Sequence, residues 1–502
     1  MNSKLAIELI RTNQELKGQF KVKIFKSYFE FSGPANLESD FKFLDKQYAF
    51  NIKTRRMENM NVECVMALDS TFRFNRTYVR LGLGFLVYIY AQYDELLDED
   101  SKTSIKSACL FDLDAKLYDL YPTQQEDLKM LFHYKRGIFQ CYTGYGKTQV
   151  IAVLMDYIVN VLKESVVVLV PDTKPKHELV DRYEDLTGNK LPEYYDTNSS
   201  INVLAVKGFL RSNSYNRYDP FFKRVKWVLA DEVEYCMNNS GIELMDLFIN
   251  ADKWYGFSAT PDKKSGNRIW IDNTKSPVIT RNFDLVNYFG FSTVFRKPDK
   301  HDITITSVVT DKFNNLDFIQ ADSYPDALRM IFMDYKVCKL IRSISKTEKP
   351  ILIPFPYLEV IDFWIEGYFN DMKVINICSR GYEYYESGKL ISKKLTLDQV
   401  KEFIESDKVD VITGTASVYR ALDFRGISNI LPLTSKLAGI VIQSIGRIAR
   451  DTKFKIICID PTTKVPMYTG DLNKRKKLIK DYYSDCRISR QTKSDVDYGF
   501  IV

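Results

Sequence analysis

The segment TGYGKT, residues 143–148, most constrains this chain, because it stands between a strand-like run, IFQCY at 138–142, and a helical stretch, QVIAVLMDYIV at 149–159. Strand, glycine loop and helix in that order belong to a parallel α/β sheet. In such a loop the backbone N–H groups close on phosphate oxygens, Lys147 adds charge and the Thr148 hydroxyl reaches Mg2+. Cys141, Tyr142, Thr143, Gly144, Tyr145, Gly146, Lys147 and Thr148 are therefore read as an ATP site. Cys141 takes the place of the first glycine of the G-x-x-x-x-G-K-[ST] pattern, where a small residue suffices.

The rest of the chain agrees with that class of sheet. From about residue 115 onward, short apolar runs alternate with longer helical stretches: VVVLVP at 166–171, WVLADE at 227–232, PILIPF at 350–355 and VDVITG at 409–414. Continuous apolar strands of this kind are covered on both faces. Before residue 115 the pattern changes to an alternating stretch, FKVKIFKSYFEF at 20–31, and a basic aromatic stretch at 71–80, which suggests a small α+β module. A second break falls near 297–316. At 502 residues the chain exceeds one core. The expectation is an N-terminal α+β domain over 1–114 and two tandem RecA-like parallel-sheet domains over 115–300 and 301–502.

Four further constellations carry chemistry. WVLADEVE ends an apolar strand in two carboxylates, placing Asp231 to hold Mg2+ and Glu232 to activate an attacking water. One βα unit later comes SATP at 258–261, where the Ser258 and Thr260 hydroxyls are placed to relay loss of the γ-phosphate; a Ser/Thr cap before Pro261 is the structural alternative. LYPTQQEDL at 120–128 puts Gln124 in position 23 residues before Lys147, where an amide can donate to and accept from an adenine edge; an ordinary polar helix start is the alternative. Far downstream, QSIGRIAR at 443–450 sets Arg447 and Arg450 three residues apart, with Gln443 opening the motif. Arginines supplied from a second domain neutralise charge in phosphoryl transfer and are worth about 10³ to 10⁵ in rate.

Bulk properties add exclusions. The formal charge of +6 is too mild over this length to demonstrate a polyanionic partner. Eight cysteines and three histidines are scattered without a C-x-x-C pair, which argues against zinc and against a disulfide framework. The N-terminus lacks a signal-peptide pattern and no apolar run is long enough to span a bilayer. A reducing, cytoplasmic setting is expected, the host's cytoplasm if the chain is phage-encoded.

Taken in order, PTQ, TGYGKT, VPDT, DEVE, SATP, TASVYRALD and QSIGRIAR resemble the motif set of a superfamily 2 helicase core over roughly residues 115–460. The length, the small N-terminal module and the Gln-initiated last motif look like the phage UvsW-type DNA helicases. That resemblance implies two RecA-like domains, ATP-driven translocation and action on branched DNA. It also places Asp423, in a segment similar to T-x-x-x-x-R-G-x-D, near the nucleotide ribose; Ala421 departs from the glycine usual there. Glu234 departs as well, standing where relatives carry His or Asp. An RNA helicase and a non-hydrolysing DNA-binding scaffold with a residual ATP site are the other readings. Gln443 and DEVE, against the His-initiated motif and D-E-A-D of RNA helicases, favour DNA.

Two surfaces offer contacts to nucleic acid. TFRFNRTYVR interleaves Arg73, Arg76 and Arg80 with aromatics, suited to phosphates and to stacking, or else to a strand with its aromatics in a core. RSNSYNRYDPFFKRVK at 211–226 is a second basic aromatic stretch, to be weighed against a solvated loop. The resemblance places the segment after VPDT and the loop containing Lys207 where the family grips one strand's phosphates.

Overall fold

The computed structural model describes residues 17–33 (except 27), 42–51, 56–65, 78–113, 117–209 (except 118), 216–261 (except 217, 238 and 249), 269–270, 277–278, 283–298, 301–312, 324–415 (except 356, 379 and 407), 427–431 (except 428), 445, 453–462 and 468–499. The chain divides into two compact units, one built mostly from residues up to Arg296 and the other mostly from Lys297 onward.

The first unit begins with an antiparallel sheet of β1 (Lys21–Ile24), β2 (Tyr28–Ser32) and, after the paired strands β3 (Lys42–Asn51) and β4 (Arg56–Val65), β5 (Tyr78–Gly82). The alternating stretch 20–31 is thus a hairpin, with Lys21–Ile24 and Tyr28–Ser32 paired antiparallel. Phe20, Phe29 and Phe31 form a core with Phe85 and Ile89 of the segment entering α1 (Leu86–Tyr93) and Ile105 of α2 (Glu99–Cys109). Val286 joins that core from the helix Phe283–Phe289, and the Asn287 side chain accepts the Gly82 N–H at 3.1 Å, so these strands are tied into the same unit as the sheet that follows.

That sheet has six parallel strands: β6 (Arg136–Cys141), β7 (Ser165–Val170), β8 (Ile201–Ala205), β9 (Val225–Asp231), β10 (Lys253–Ser258) and a last strand, Ser292–Arg296. The spatial order is Ser292–Arg296, β6, β10, β9, β7, β8. Strands β7, β9 and β10 are buried almost throughout, as continuous Val, Leu, Trp and Phe runs require when helices cover both faces. Packing sets one glycine: a Cβ at Gly256 of β10 would come within 2.9 Å of the Val233 side chain, so glycine there lets the turn after β9 lie against the sheet.

The second unit holds a nine-stranded sheet, parallel across seven strands and closed on one edge by antiparallel strands. Its core strands include Ile351–Pro354, Lys373–Cys378, Val411–Gly414 and Lys453–Pro461. Asp302–Thr310 runs in register with Lys453–Pro461 on one side and Arg487–Ser494 on the other. The basic run NKRKK at 473–477 lies in the helix Tyr468–Tyr482. Two parallel α/β sheets preceded by a small α+β portion is the fold class the sequence leads one to expect.

Candidate functional site

Register aligns the chemistry at one edge of the first sheet. Across β6 and β10, Ser258 lies opposite Gln140; across β10 and β9, Phe257 lies opposite Asp231; across β6 and the last strand, Arg296 lies opposite Cys141. The glycine loop, the carboxylate pair and SATP therefore leave the same, C-terminal, edge on adjacent strands, where open α/β sheets bind ligands.

The loop runs from Cys141, at the end of β6, into α3 (Lys147–Asp156). Gly144 and Gly146 both sit at φ 95°, a left-handed conformation that favours glycine, and a Cβ at Gly144 would meet open space. The buried Thr143 hydroxyl has no hydrogen-bond partner among the described residues. Burial pushes the Cys141 thiol up to about 12, with Lys147 acting in the opposite direction, so at neutral pH a small uncharged group occupies the first-glycine position. The residues present fit a nucleotide phosphate chain.

Opposite the loop, Lys147 Nζ lies 4.0 Å from Glu232 Oε1, and both side chains are largely buried. Glu232 is held at φ 46°, ψ 54°, left-handed for a non-glycine residue, and its N–H donates to Asp231 Oδ1 at 3.0 Å. Backbone outliers of this kind concentrate at functional sites. Asp231 is 8% exposed, whereas Glu234, two residues beyond Glu232, is fully buried under the turn. Thr148, at the start of α3, and Asp231 are the residues that would hold Mg2+. Among the described residues no group of three or more His, Cys, Asp or Glu side chains could hold a metal.

The SATP segment forms a tight turn. Ser258 Oγ accepts the Thr260 N–H at 2.9 Å, and the buried Thr260 hydroxyl has no hydrogen-bond partner among the described residues. Ser258 thus shapes the turn, which presents Thr260.

Gln124 lies in α4 (Pro122–Leu131), which precedes β6. It is 2% exposed, and its amide is used at both ends: Oε1 accepts the Tyr121 N–H at 2.9 Å and Nε2 donates to the Tyr145 carbonyl, also at 2.9 Å. An adenine contact would use the remaining amide hydrogen and lone pair. The sequence reading missed this bracing role, and it missed Asp127 altogether. Asp127 is fully buried and accepts the Tyr145 hydroxyl at 2.5 Å together with the Arg296 guanidinium at 2.7–3.0 Å.

At the ends of neighbouring strands, Lys207, in the short helix Val206–Phe209, meets VPDT itself rather than the segment after it: the Lys207 N–H donates to the Pro171 carbonyl at 3.4 Å. Lys207 Nζ is 3.8 Å from Asp172 Oδ2, and the Lys207 side chain is 62% exposed. Arg80 lies in β5, at the register position opposite Glu30 of β2. Gln443, Arg447, Arg450, Asp423, Arg73 and Arg76 lie outside the described residues. No helix among the described residues is long and apolar enough to cross a membrane.

Residues 117–263 match the family described as Type III restriction enzyme, res subunit. No curated protein matches the chain by sequence. Among solved structures it is similar to bacteriophage T4 UvsW, at 14% identity and a TM-score of 0.38 over 95% of this chain and 100% of that one. It is also similar to S. cerevisiae Dbp5 bound to RNA and ADP BeF3, at 13% identity and a TM-score of 0.46 over 75% of this chain and 90% of that one. A third similarity is to the DUF1998 helicase MrfA bound to DNA and AMPPNP, at 11% identity and a TM-score of 0.44, covering 74% of this chain and 52% of that one.

Proposed function

We propose that this chain, which resembles superfamily 2 helicases, is an ATP-dependent DNA helicase or translocase that remodels branched DNA such as forks and four-way junctions. The observation that carries the reading is the approach of Lys147 to Glu232 at 4.0 Å beside a glycine loop with left-handed Gly144 and Gly146. That approach supports reading Lys147 as the cation for the phosphates and Glu232 as the base for water.

In this reading the loop from Cys141 to Thr148 binds the phosphates and Lys147 balances their charge. Glu232 takes the proton of the attacking water, and its left-handed backbone aims the carboxylate out of the end of β9. Asp231 and Thr148 would hold Mg2+, which when bound neutralises charge on the phosphate oxygens. Thr260 stands ready to register loss of the γ-phosphate, on a turn that Ser258 fixes. For Gln443, Arg447 and Arg450 the reading keeps the catalytic role, and for Asp423 the ribose-binding role, that the family resemblance implies.

The proposed domains are an N-terminal DNA-recognition portion over 1–114, an ATP-binding domain over 115–300 and a helicase C-terminal domain over 301–502. DNA contacts are assigned to Arg73, Arg76, Arg80 and Lys207. Gln443 and the DEVE sequence favour DNA over RNA.

The test is steady-state ATP hydrolysis by the full chain without nucleic acid and with single-stranded DNA, linear duplex, a four-way junction or matched RNA. Strongest stimulation by the junction is expected. Preference for RNA would replace the substrate, and no turnover with any polymer would leave a DNA-binding scaffold.

A further inference from the structure

Tyr145, the residue between the two left-handed glycines, is held at its carbonyl and at its hydroxyl by one helix. Its carbonyl accepts from Gln124 at 2.9 Å and its hydroxyl donates to Asp127 at 2.5 Å; both partners belong to α4, three residues apart on one face. The ring packs against Phe139 of β6 with centroids 5.5 Å apart. Burial first, and the Asp127 hydrogen bond next, hold the phenol well above its ordinary range, so it is the donor in this pair.

Asp127 is 0% exposed, and burying a carboxylate is costly without an opposite charge and hydrogen bonds. Arg296 supplies them as a fork: Nε reaches Oδ1 at 2.8 Å and Oδ2 at 3.0 Å, and a terminal nitrogen reaches Oδ1 at 2.7 Å. Arg296 is the last residue of its strand and of the first unit, and it lies opposite Cys141, where the loop begins. One carboxylate thus joins the middle of the phosphate loop to the point where the chain leaves the unit.

We infer that Asp127 and Arg296 are positioning residues, which set the shape of the phosphate loop through the Tyr145 hydroxyl. The inference rests on the reading of this loop as a nucleotide site. Its structural half stands apart from that reading: the three side chains act as a unit, and losing any one loosens the loop.

The experiment uses the full chain with Tyr145→Phe, Arg296→Gln, Arg296→Lys and the double variant Tyr145→Phe/Arg296→Gln. Tyr145→Phe deletes one oxygen and keeps the ring, so folding is preserved; thermal melting checks this in each variant. Hydrogen exchange of the amides at 142–148 is measured first. It should quicken in Tyr145→Phe and in Arg296→Gln, and less in Arg296→Lys, which keeps the charge without the fork. Binding of mant-ADP follows. Each single variant should raise Kd about tenfold, the scale of one lost hydrogen bond to a charged group. The double variant should be little worse than either single one. Unchanged exchange in both single variants, or effects of the two that simply multiply, would overturn the inference. Quickened exchange in the variants, together with a wild-type chain that binds no mant-ADP, would instead overturn the nucleotide reading, and with it the assignment of these residues to the reaction.

Discussion

Lys147 Nζ lies 4.0 Å from Glu232 Oε1, so the cation of the phosphate loop and the carboxylate at the end of β9 face each other across one sheet edge. The spacing is longer than a hydrogen bond, and in the proposed reaction the lysine serves the phosphates and the carboxylate the attacking water.

Separating those two roles gives the first prediction. Glu232→Gln keeps size and hydrogen bonding but cannot accept the proton, and should lower kcat for ATP by about 10² to 10⁴ while mant-ADP affinity stays near wild type. Lys147→Ala should lose nucleotide affinity as well. Equal losses of binding in the two variants would show that Glu232 holds the loop rather than serving as a base.

A second prediction concerns how the carboxylate turn is seated. With a Cβ at 256 meeting Val233 Cγ2 at 2.9 Å, Gly256→Ala must push the turn that follows Glu232 off the sheet. Overpacking of this kind costs about 1–3 kcal/mol. Urea unfolding should register that loss and turnover should fall with it; an unchanged midpoint would mean that Val233 moves aside freely.

The contrast between Gly146 and Asp127 explains what was legible in the chain. The loop, its flanking strand and helix, and the run to Asp231 are local patterns, and the period of apolar residues gives them directly. So are the strands that became β7, β9, Ile351–Pro354 and Val411–Gly414. Asp127 carries no local signal: its charge partner, Arg296, is 169 residues away and meets it only because the first and last strands of the sheet are neighbours. Gln124 was visible as a polar residue at a helix start, yet whether its amide turns inward to Tyr145 depends on where the loop returns. The hairpin at 20–31 was hidden for a simpler reason, since alternation continues across its turn and gives no break in the pattern.

Lys207 supplies a third prediction. Its exposed ammonium is 3.8 Å from Asp172, which offsets part of its charge. If it binds a phosphate of single-stranded DNA, Lys207→Ala should weaken binding about equally for all sequences and reduce the slope of log K against log salt by about 1. Asp172→Asn should strengthen binding. A salt slope that does not change in Lys207→Ala would remove this residue from the DNA path.

The last prediction uses the second unit's buried carboxylate. Glu348, 7% exposed, accepts from Lys455 at 2.6 Å, Lys493 at 3.3 Å and Tyr498 at 3.0 Å, tying Arg487–Ser494 and the turn after it to the end of the helix Tyr335–Thr347. Burial is the largest single influence and pushes its pKa up, but the hydrogen bond and charge of Lys455, with Tyr498 and Lys493, outweigh it and hold the carboxyl below its ordinary value. A carboxyl lowered on folding contributes stability that is complete above its unfolded pKa and is lost as pH falls through its folded one. Glu348→Gln should therefore cost about 1.5–3 kcal/mol at neutral pH, the worth of hydrogen bonds to a charged group. Unfolding curves for variant and wild type should converge as the pH is lowered from 5 through the acid limb. A difference that stays constant down to the lowest pH at which the protein remains folded would mean that Glu348 acts through packing rather than charge.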